Sequence, residues 1–188
     1  MGVAGGKKGG GVCALRTGLR LGELFALTWD DVDFVNSKIL VRRNWTHGKL
    51  VPPKSGKERK VPMSPELARE LRGARHLKSD LVFCREDGTY LSYENLRSAF
   101  KRTQRSAGLP RNTPHGMRHS FASQLVMASA PLKVVQELLG HADINMTMRY
   151  AHVAPGVTDD YVARLDGRVP SAGHKRGVGD SLARESQL

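Results

Sequence analysis

The sequence predicts an α+β fold that is mainly α-helical, with a small antiparallel three-stranded sheet near the N-terminus. Apolar residues recur at helical spacing over most of the chain, behind Ser-Pro and Thr-Pro cap signals. Short β-rich runs cluster between residues 32 and 62. The 188 residues, 39% of them hydrophobic, can bury one core without disulfides.

A broken helix and then the sheet are predicted for the first third of the chain. The apolar pattern from Leu15 to Leu27 indicates a helix that is interrupted at Thr17 and Gly18. Four β-rich runs separated by turn signals follow, at Val32–Val35, Lys38–Trp45, Leu50–Pro52 and Arg59–Val61. Because glycines precede the first helix, we expect residues 1–12 to form a flexible lead-in.

The later helices are predicted from their caps. Ser64-Pro65 and Thr113-Pro114 each place a hydroxyl before a proline, which suits the first helical turn. Gly140 suits the left-handed residue that ends a helix. The predicted helices run from Pro65 to Arg75, from Ser92 to Ala107, from Pro114 with the apolar stripe Met117, Phe121 and Leu125, from Pro131 to Leu139, and from Asn145 to Val153.

The charge of the chain favours a polyanionic partner. Thirty Lys and Arg residues oppose 18 Asp and Glu residues, a net charge of +12. Double-stranded DNA is therefore an expected partner, although a merely soluble basic surface would also give this excess. The predicted DNA-binding residues lie in two basic stretches and are Lys57, Arg59, Lys60, Arg97, Lys101, Arg102 and Arg105.

Several classes of protein are excluded by composition. No apolar stretch approaches the roughly 20 residues that span a bilayer, so we expect no membrane partner. Cys13 and Cys84 are too few and too far apart for a disulfide framework or a zinc site. We therefore expect a cytoplasmic, DNA-associated protein that holds no metal.

Three local patterns could carry chemistry. His115 and Arg118 are three residues apart on one helix and could present an imidazole and a guanidinium to one phosphate, although such pairs are common on surfaces. Tyr150 lies between arginine and histidine, and is either a core residue or a nucleophile activated by cations. Arg20 precedes Glu23 by about one helical turn, which by itself predicts a surface ion pair.

Together these segments resemble the catalytic domain of tyrosine recombinases, the phage integrase family. The segments that carry the resemblance, in order, are TGLRLGELFALTWDDVDF (17–34), PKSGKERKVPMS (53–64), TPHGMRHSFASQLV (113–126) and LLGHADINMTMRYAHV (138–153). The resemblance implies the DNA breaking-rejoining fold. It also implies a site-specific recombinase that cleaves and rejoins DNA without metal or cofactor, through a 3′-phosphotyrosyl intermediate.

The resemblance also implies a role for each matching residue. Tyr150 is the nucleophile, and Arg20 and Arg118 bind the non-bridging oxygens of the scissile phosphate. Lys54 protonates the leaving 5′-oxygen, although Lys57 and Lys60 are close alternatives in sequence. His115 accepts the tyrosine proton or shares in phosphate binding, and His141 donates a hydrogen bond to the phosphate. Glu23 supports the site, and His119 supports its helix instead of acting as a second base.

The expected domain organisation is a catalytic domain over residues 13–165 and a flexible tail over residues 166–188. The N-terminal core-binding domain that clamps DNA in family members is expected to be absent. Val157, Tyr161, Val162 and Leu165 could form a helix that docks on a neighbouring protomer, giving a tetramer on DNA, or on its own core. Two alternatives stay open, a type IB topoisomerase-like enzyme and a catalytically silent DNA-binding remnant of a mobile element.

Overall fold

A computed structural model of the chain describes residues 3–4, 9–106 and 113–155. All of them belong to the first of two compact units, Met1–Pro155 and Gly156–Leu188. Within the described ranges the helices are α1 (Gly9–Thr17), α2 (Leu21–Phe25), α3 (Pro65–Gly73), α4 (Tyr93–Ser106), α5 (Pro114–Met127), α6 (Leu132–Leu139) and α7 (Asn145–Met148). The strands are β1 (Val3–Ala4), β2 (Val32–Asp33), β3 (Lys38–Val41), β4 (Asn44–Thr46), β5 (Lys49–Val51), β6 (Arg59–Pro62) and β7 (Cys84–Arg85).

The predicted α+β class and its antiparallel three-stranded sheet are confirmed. The strand order is β2-β3-β6, and Ile39 of the central strand lies opposite both Val32 and Val61. These three side chains are buried and form part of the larger core cluster with Leu24 and Phe83. The sheet therefore covers one side of this core.

The predicted strand over residues 38–45 is wrong at its centre. β3 ends at Val41, and Asn44 begins a separate two-stranded ribbon of β4 and β5. Between them the Arg42 and Arg43 side chains turn to the buried carboxylate of Asp31, at 2.6 Å and 2.7 Å. Satisfying that carboxylate redirects the chain and divides the strand.

The lead-in of the chain also differs from expectation. Strand β1 pairs antiparallel with β7, and α1 begins at Gly9 inside the segment expected to be flexible. Glycines weaken a helix interior by roughly 1 kcal/mol each relative to alanine. Packing of α1 against α3 and α5, with Cys13 and Ala14 buried, supplies the compensation.

The predicted helices behind the caps are confirmed, with shifts at their ends. Thr113 accepts a hydrogen bond from the Gly116 amide at 3.2 Å, and Gly140 ends α6 in the left-handed region at φ 65°. The helix predicted from Asn145 to Val153 is wrong in one respect, because α7 stops at Met148 and a 3₁₀ turn follows at Ala151–Val153. Hydrogen bonds from residue i to i−3 tighten this segment around Tyr150.

A second core cluster lies behind this tight segment. It joins the Tyr150 ring to Phe121, Val126, Val135 and Leu139 from α5 and α6. The nucleophile candidate is thus packed against α5, which carries His115 and Arg118, and against α6, which His141 follows.

Some predictions concern residues outside the described ranges. They are the C-terminal docking helix with Val157, Tyr161, Val162 and Leu165, the tail over residues 166–188, and half of the lead-in. In the part of the chain that is described, no helix is long and apolar enough to cross a membrane.

Candidate active site

Arg118 lies at the centre of the candidate site. Its residue surface is 4% exposed, and its guanidinium donates to the carbonyl oxygens of Gly18 and Leu139, both at 2.6 Å. Gly18 has φ +61°, and a Cβ there would collide with the Phe121 ring. The interruption predicted at this glycine therefore turns a backbone carbonyl toward Arg118.

Glu23 joins two further arginines to the site. Its carboxylate is fully buried and accepts the Arg20 backbone N–H at 2.9 Å and the Arg20 guanidinium at 3.1 Å. It also accepts two hydrogen bonds from the Arg59 guanidinium, at 2.6 Å and 3.0 Å. Burial raises the pKa of Glu23, but the hydrogen bonds and charges of Arg59 and Arg20 outweigh it and hold that pKa below its usual value.

Arg59, one of the predicted DNA-binding residues, lies largely inside the protein, and its contact with DNA stays a prediction. Its side chain is only 8% exposed and is held by Glu23 and by the carbonyl oxygen of Leu138 at 2.9 Å. Side chains alternate along a strand, so Arg59 shares the inward face of β6 with buried Val61. The alternation could be read from the sequence and would have placed Arg59 on the inward face, but a count of charges does not use it.

The C-terminal end of α6 gathers the three guanidiniums. The carbonyl oxygen of Leu138 accepts a hydrogen bond from Arg59 at 2.9 Å, and that of Leu139 accepts one from Arg118 at 2.6 Å. The carbonyl oxygen of Gly140, which caps the helix, accepts one from Arg20 at 3.3 Å. A helix leaves its last carbonyls without partners inside the helix and carries partial negative charge at that end. One helix end thereby positions three cations side by side.

The positive charge of this cluster exceeds its negative charge. Among the described residues, Glu23 is the carboxylate that pairs with the Arg20 and Arg59 guanidiniums, so three cations meet one anion. Burial and the nearby charge of Arg20 lower the pKa of Arg118 to about 9, which leaves it charged at pH 7. Mutual repulsion of the cations makes the cluster a site that an anion would stabilise.

His141 follows the end of α6 and adds a neutral donor. Its Nδ1 lies 2.9 Å from the hydroxyl of Thr147, a fully buried residue that sequence analysis missed. Burial, then the charges of Arg118 and Arg20, lower the pKa of His141 to about 4. The ring is therefore neutral at pH 7, and one of its two nitrogens carries an N–H that can donate.

Tyr150 is brought to the site from the segment after α7. The residue is 5% exposed, and its phenol oxygen lies 2.6 Å from Nδ1 of His119. Burial raises the pKa of Tyr150 and outweighs the opposite effects of Arg118 and Arg149, so the phenol is protonated at pH 7. The nucleophile candidate is thus held as a neutral phenol in a hydrogen bond with His119.

His119 contacts the Tyr150 phenol, although the sequence analysis expected it to support its helix. The phenol contacts this histidine, whereas His115 is exposed at the start of α5 and contacts His119 edge to face, with ring centroids 4.5 Å apart. The two histidines are four residues apart, a spacing that places them on one helix face. The sequence therefore already indicated that the two imidazole rings lie close together.

The remaining basic candidates lie on the surface. Lys54 is exposed in the turn between β5 and β6, and the described contacts include none between its ammonium and Tyr150. Lys57 and Lys60 are also exposed near this turn. The four basic candidates of α4 are exposed as well, namely Arg97, Lys101, Arg102 and Arg105. Their DNA contacts stay predictions.

Comparisons with known proteins match this arrangement. Residues 12–156 match the Phage integrase family. The chain is 35% identical to tyrosine recombinase XerC of Chromobacterium violaceum, over 87% of this chain and 52% of that protein. It is 30% identical to a tyrosine recombinase XerC-like protein of Caldanaerobacter subterraneus subsp. tengcongensis, over 81% of this chain and 47% of that protein. The chain therefore spans about half the length of these curated relatives.

A solved structure of an integrase has a similar fold. The Tn1549 transposon integrase, in complex with a circular intermediate DNA, matches with a TM-score of 0.72 and 27% sequence identity. The match covers 85% of this chain and 58% of the integrase chain. The fold implied by the sequence resemblance is thereby confirmed.

Proposed function

This chain belongs to the phage integrase family, and we propose that it is the catalytic domain of a tyrosine-type site-specific DNA recombinase. In this proposal Tyr150 attacks a scissile phosphate in double-stranded DNA and forms a 3′-phosphotyrosyl bond with release of a 5′-hydroxyl. The covalent bond conserves the energy of the phosphodiester. A DNA hydroxyl can therefore reverse the step and rejoin the strand without a nucleotide cofactor.

One observation carries the proposal, the buried excess of positive charge beside the phenol. Phosphoryl transfer builds negative charge on the non-bridging oxygens, and fixed cations stabilise that charge most in a site that excludes water. Arg118 uses two of its five N–H donors on carbonyl oxygens and keeps others for an anion. Its charge also acts on the phenol of Tyr150, so the two groups share one electrostatic environment.

The other candidates are assigned around this pair. Arg20 joins Arg118 in binding the phosphate, and Glu23 with Arg59 holds Arg20 in place. His141 donates from its neutral ring, and exposed His115 shares in phosphate binding. These protein groups supply the positive charge, so the proposed reaction needs no metal.

Lys54 is proposed as the acid that protonates the leaving oxygen. An alkoxide is a poor leaving group, and the ammonium carries the proton that it needs. The turn that carries Lys54 is exposed, which leaves it open to a bound DNA strand. Lys57 and Lys60, together with the exposed basic residues of α4, are proposed to bind the DNA backbone.

Assembly and location belong to the same proposal. We expect self-association as a tetramer on DNA through the C-terminal segment. Because the proposed substrate is double-stranded DNA, we expect the protein to act in the cytoplasm, associated with that DNA.

The test is capture of the covalent intermediate. The protein is incubated with nicked duplexes of randomised core sequence, in which loss of a short fragment traps the cleaved strand. Wild type is expected to give an adduct that survives denaturation and maps to Tyr150, and Tyr150→Phe is expected to give none. No adduct with wild type, or an adduct with the phenylalanine variant, would refute the proposal.

A further inference from the structure

The hydrogen bond of the phenol identifies a residue that the proposed mechanism does not yet use. Tyr150 is held by His119 and not by His115, the histidine that the sequence resemblance favours. We propose that His119 is the base that accepts the Tyr150 proton as the phenol oxygen attacks the phosphate. This inference rests on the proposed recombinase function.

Geometry is the first support. A general base must lie about 2.6 to 3.2 Å from the atom whose proton it removes. The distance from the phenol oxygen to His119 Nδ1 is 2.6 Å, and the two ring centroids are 5.6 Å apart. Exposed His115 contacts the edge or face of the His119 ring, and the described contacts include none between His115 and the phenol.

The protonation states are the second support. The pKa of His119 is lowered by burial and by His115, Arg149 and Arg118, so its ring is neutral and able to accept a proton at pH 7. His115 and Arg118 face it from its own helix, and Arg149 and Tyr150 face it from the segment after α7. The proposed step requires the phenol O–H to donate to Nδ1, with the ring proton on Nε2.

Substrate binding would strengthen this base when it is needed. The cations that lower the pKa of His119 include Arg118, which binds the phosphate in the proposed function. A bound phosphodiester carries one negative charge and offsets the effect of that cation. The pKa of His119 therefore rises on binding, and transfer of the phenol proton becomes easier.

The proposed step balances. The Tyr150 oxygen forms a bond to phosphorus while its proton moves to Nδ1 of His119. The bond between phosphorus and the 5′-oxygen breaks, and the 5′-oxygen takes a proton from Lys54. In religation the two protons return by the same routes, so His119 is neutral again after each cycle.

The discriminating variant is His119→Asn. The asparagine amide oxygen takes approximately the place of Nδ1, so the variant can still accept the phenol hydrogen bond but cannot take its proton. Single-turnover cleavage of the nicked duplexes at pH 7 is expected to fall about 100-fold or more, the usual worth of a general base. DNA affinity and the circular dichroism spectrum are expected to match those of wild type.

The pH profile separates proton transfer from positioning. Wild-type cleavage is expected to become independent of pH once the His119 ring is neutral in the DNA complex. The asparagine variant must react through the phenolate, so its rate is expected to rise about tenfold per pH unit between pH 7 and 9. A variant rate close to wild type with a flat profile would show that His119 only positions the phenol, and would overturn the inference.

A control and a second measurement complete the test. His47→Asn removes an exposed histidine from the β4–β5 turn, where φ is +47°, a conformation that asparagine accepts, and is expected to keep the wild-type rate and profile. Nitrogen-15 NMR of the free protein is expected to show His119 protonated on Nε2 alone, with an Nδ1 signal that shifts in Tyr150→Phe. A ring protonated on Nδ1 at pH 7 would overturn the inference without DNA.

These outcomes distinguish the two proposals. Absence of any wild-type adduct removes the recombinase proposal, and this inference with it. A Tyr150-dependent adduct that forms equally well in His119→Asn removes only the assignment of His119.

Discussion

Replacing Glu23 by glutamine removes the anion that holds two arginines in the site. The carboxylate is fully buried and accepts four hydrogen bonds, two from Arg20 and two from Arg59. Glutamine has nearly the same shape, but its amide carries no charge and turns an N–H toward donors. The Arg59 side chain, 8% exposed, would then be a buried cation without a counterion.

The expected loss in the free energy of unfolding is large compared with the total stability of one domain. Removing one partner of a buried ion pair costs about 3 to 5 kcal/mol, against a total stability of about 5 to 15 kcal/mol for a typical domain. Urea unfolding at pH 7, followed by circular dichroism, is expected to show this loss for Glu23→Gln. The matched control is Glu137→Gln, whose exposed pair with Lys133 spans 3.8 Å and is worth at most about 1 kcal/mol.

The pH dependence gives an independent check of the same reasoning. Because the pKa of Glu23 is lowered on folding, its contribution is complete above the unfolded value of about 4.3 and is lost as pH falls through the folded value. The stability difference between wild type and Glu23→Gln is therefore expected to be constant from pH 7 to 5 and to shrink at lower pH. A difference below 1 kcal/mol at pH 7, or one that grows on acidification, would refute this account.

Three further predictions concern the rest of the site. Gly140→Ala is expected to lower the free energy of unfolding more than Gly56→Ala. Both glycines have positive φ, so both variants carry about 1 kcal/mol of backbone strain, but a Cβ at residue 140 would lie 2.9 Å from a guanidinium nitrogen, whereas a Cβ at residue 56 would face open space. Equal losses of stability in urea would contradict this prediction. Thr147→Val keeps the volume but removes the hydroxyl that orients His141, so single-turnover cleavage is expected to fall about tenfold at unchanged DNA affinity, and an unchanged rate would argue against that role. Arg118→Lys is expected to slow cleavage by about 100-fold or more, because an ammonium cannot bridge both carbonyl oxygens and also bind phosphate, and a rate within tenfold of wild type would exclude the proposed binding geometry.

Local signals made much of the fold predictable. Thr113 and Pro114 indicate where α5 begins, and Gly140 indicates where α6 ends. These positions could be predicted because helix capping depends only on neighbouring backbone atoms. The split between β3 and β4 was not predictable in the same way. The two arginines at the split pair with Asp31, 11 and 12 positions earlier in the chain, and no cap or turn residue signals that contact.

The candidate site was also predictable from the sequence only in part. The segments around Arg118 and Tyr150 were identified from sequence, and the structure brings both residues into one buried environment. The inward role of Arg59 was hidden because a charge count ignores which face of a strand carries the charge. The hydrogen bond from Tyr150 to His119 joins residues 31 positions apart, so only the packed chain reveals it.

The end of α6 has a consequence for how this protein can change and be controlled. Every amino acid presents the same main-chain oxygen, so the side chains of Leu138 and Leu139 could vary without removing the acceptors that order the pocket. The vulnerability lies in the helical conformation itself. Unwinding one turn would remove an acceptor from all three guanidiniums together, although Glu23 would still bind Arg20 and Arg59, and the Gly18 carbonyl oxygen would still bind Arg118. A molecule that unwound this turn would therefore disturb the whole arginine cluster without approaching the phenol.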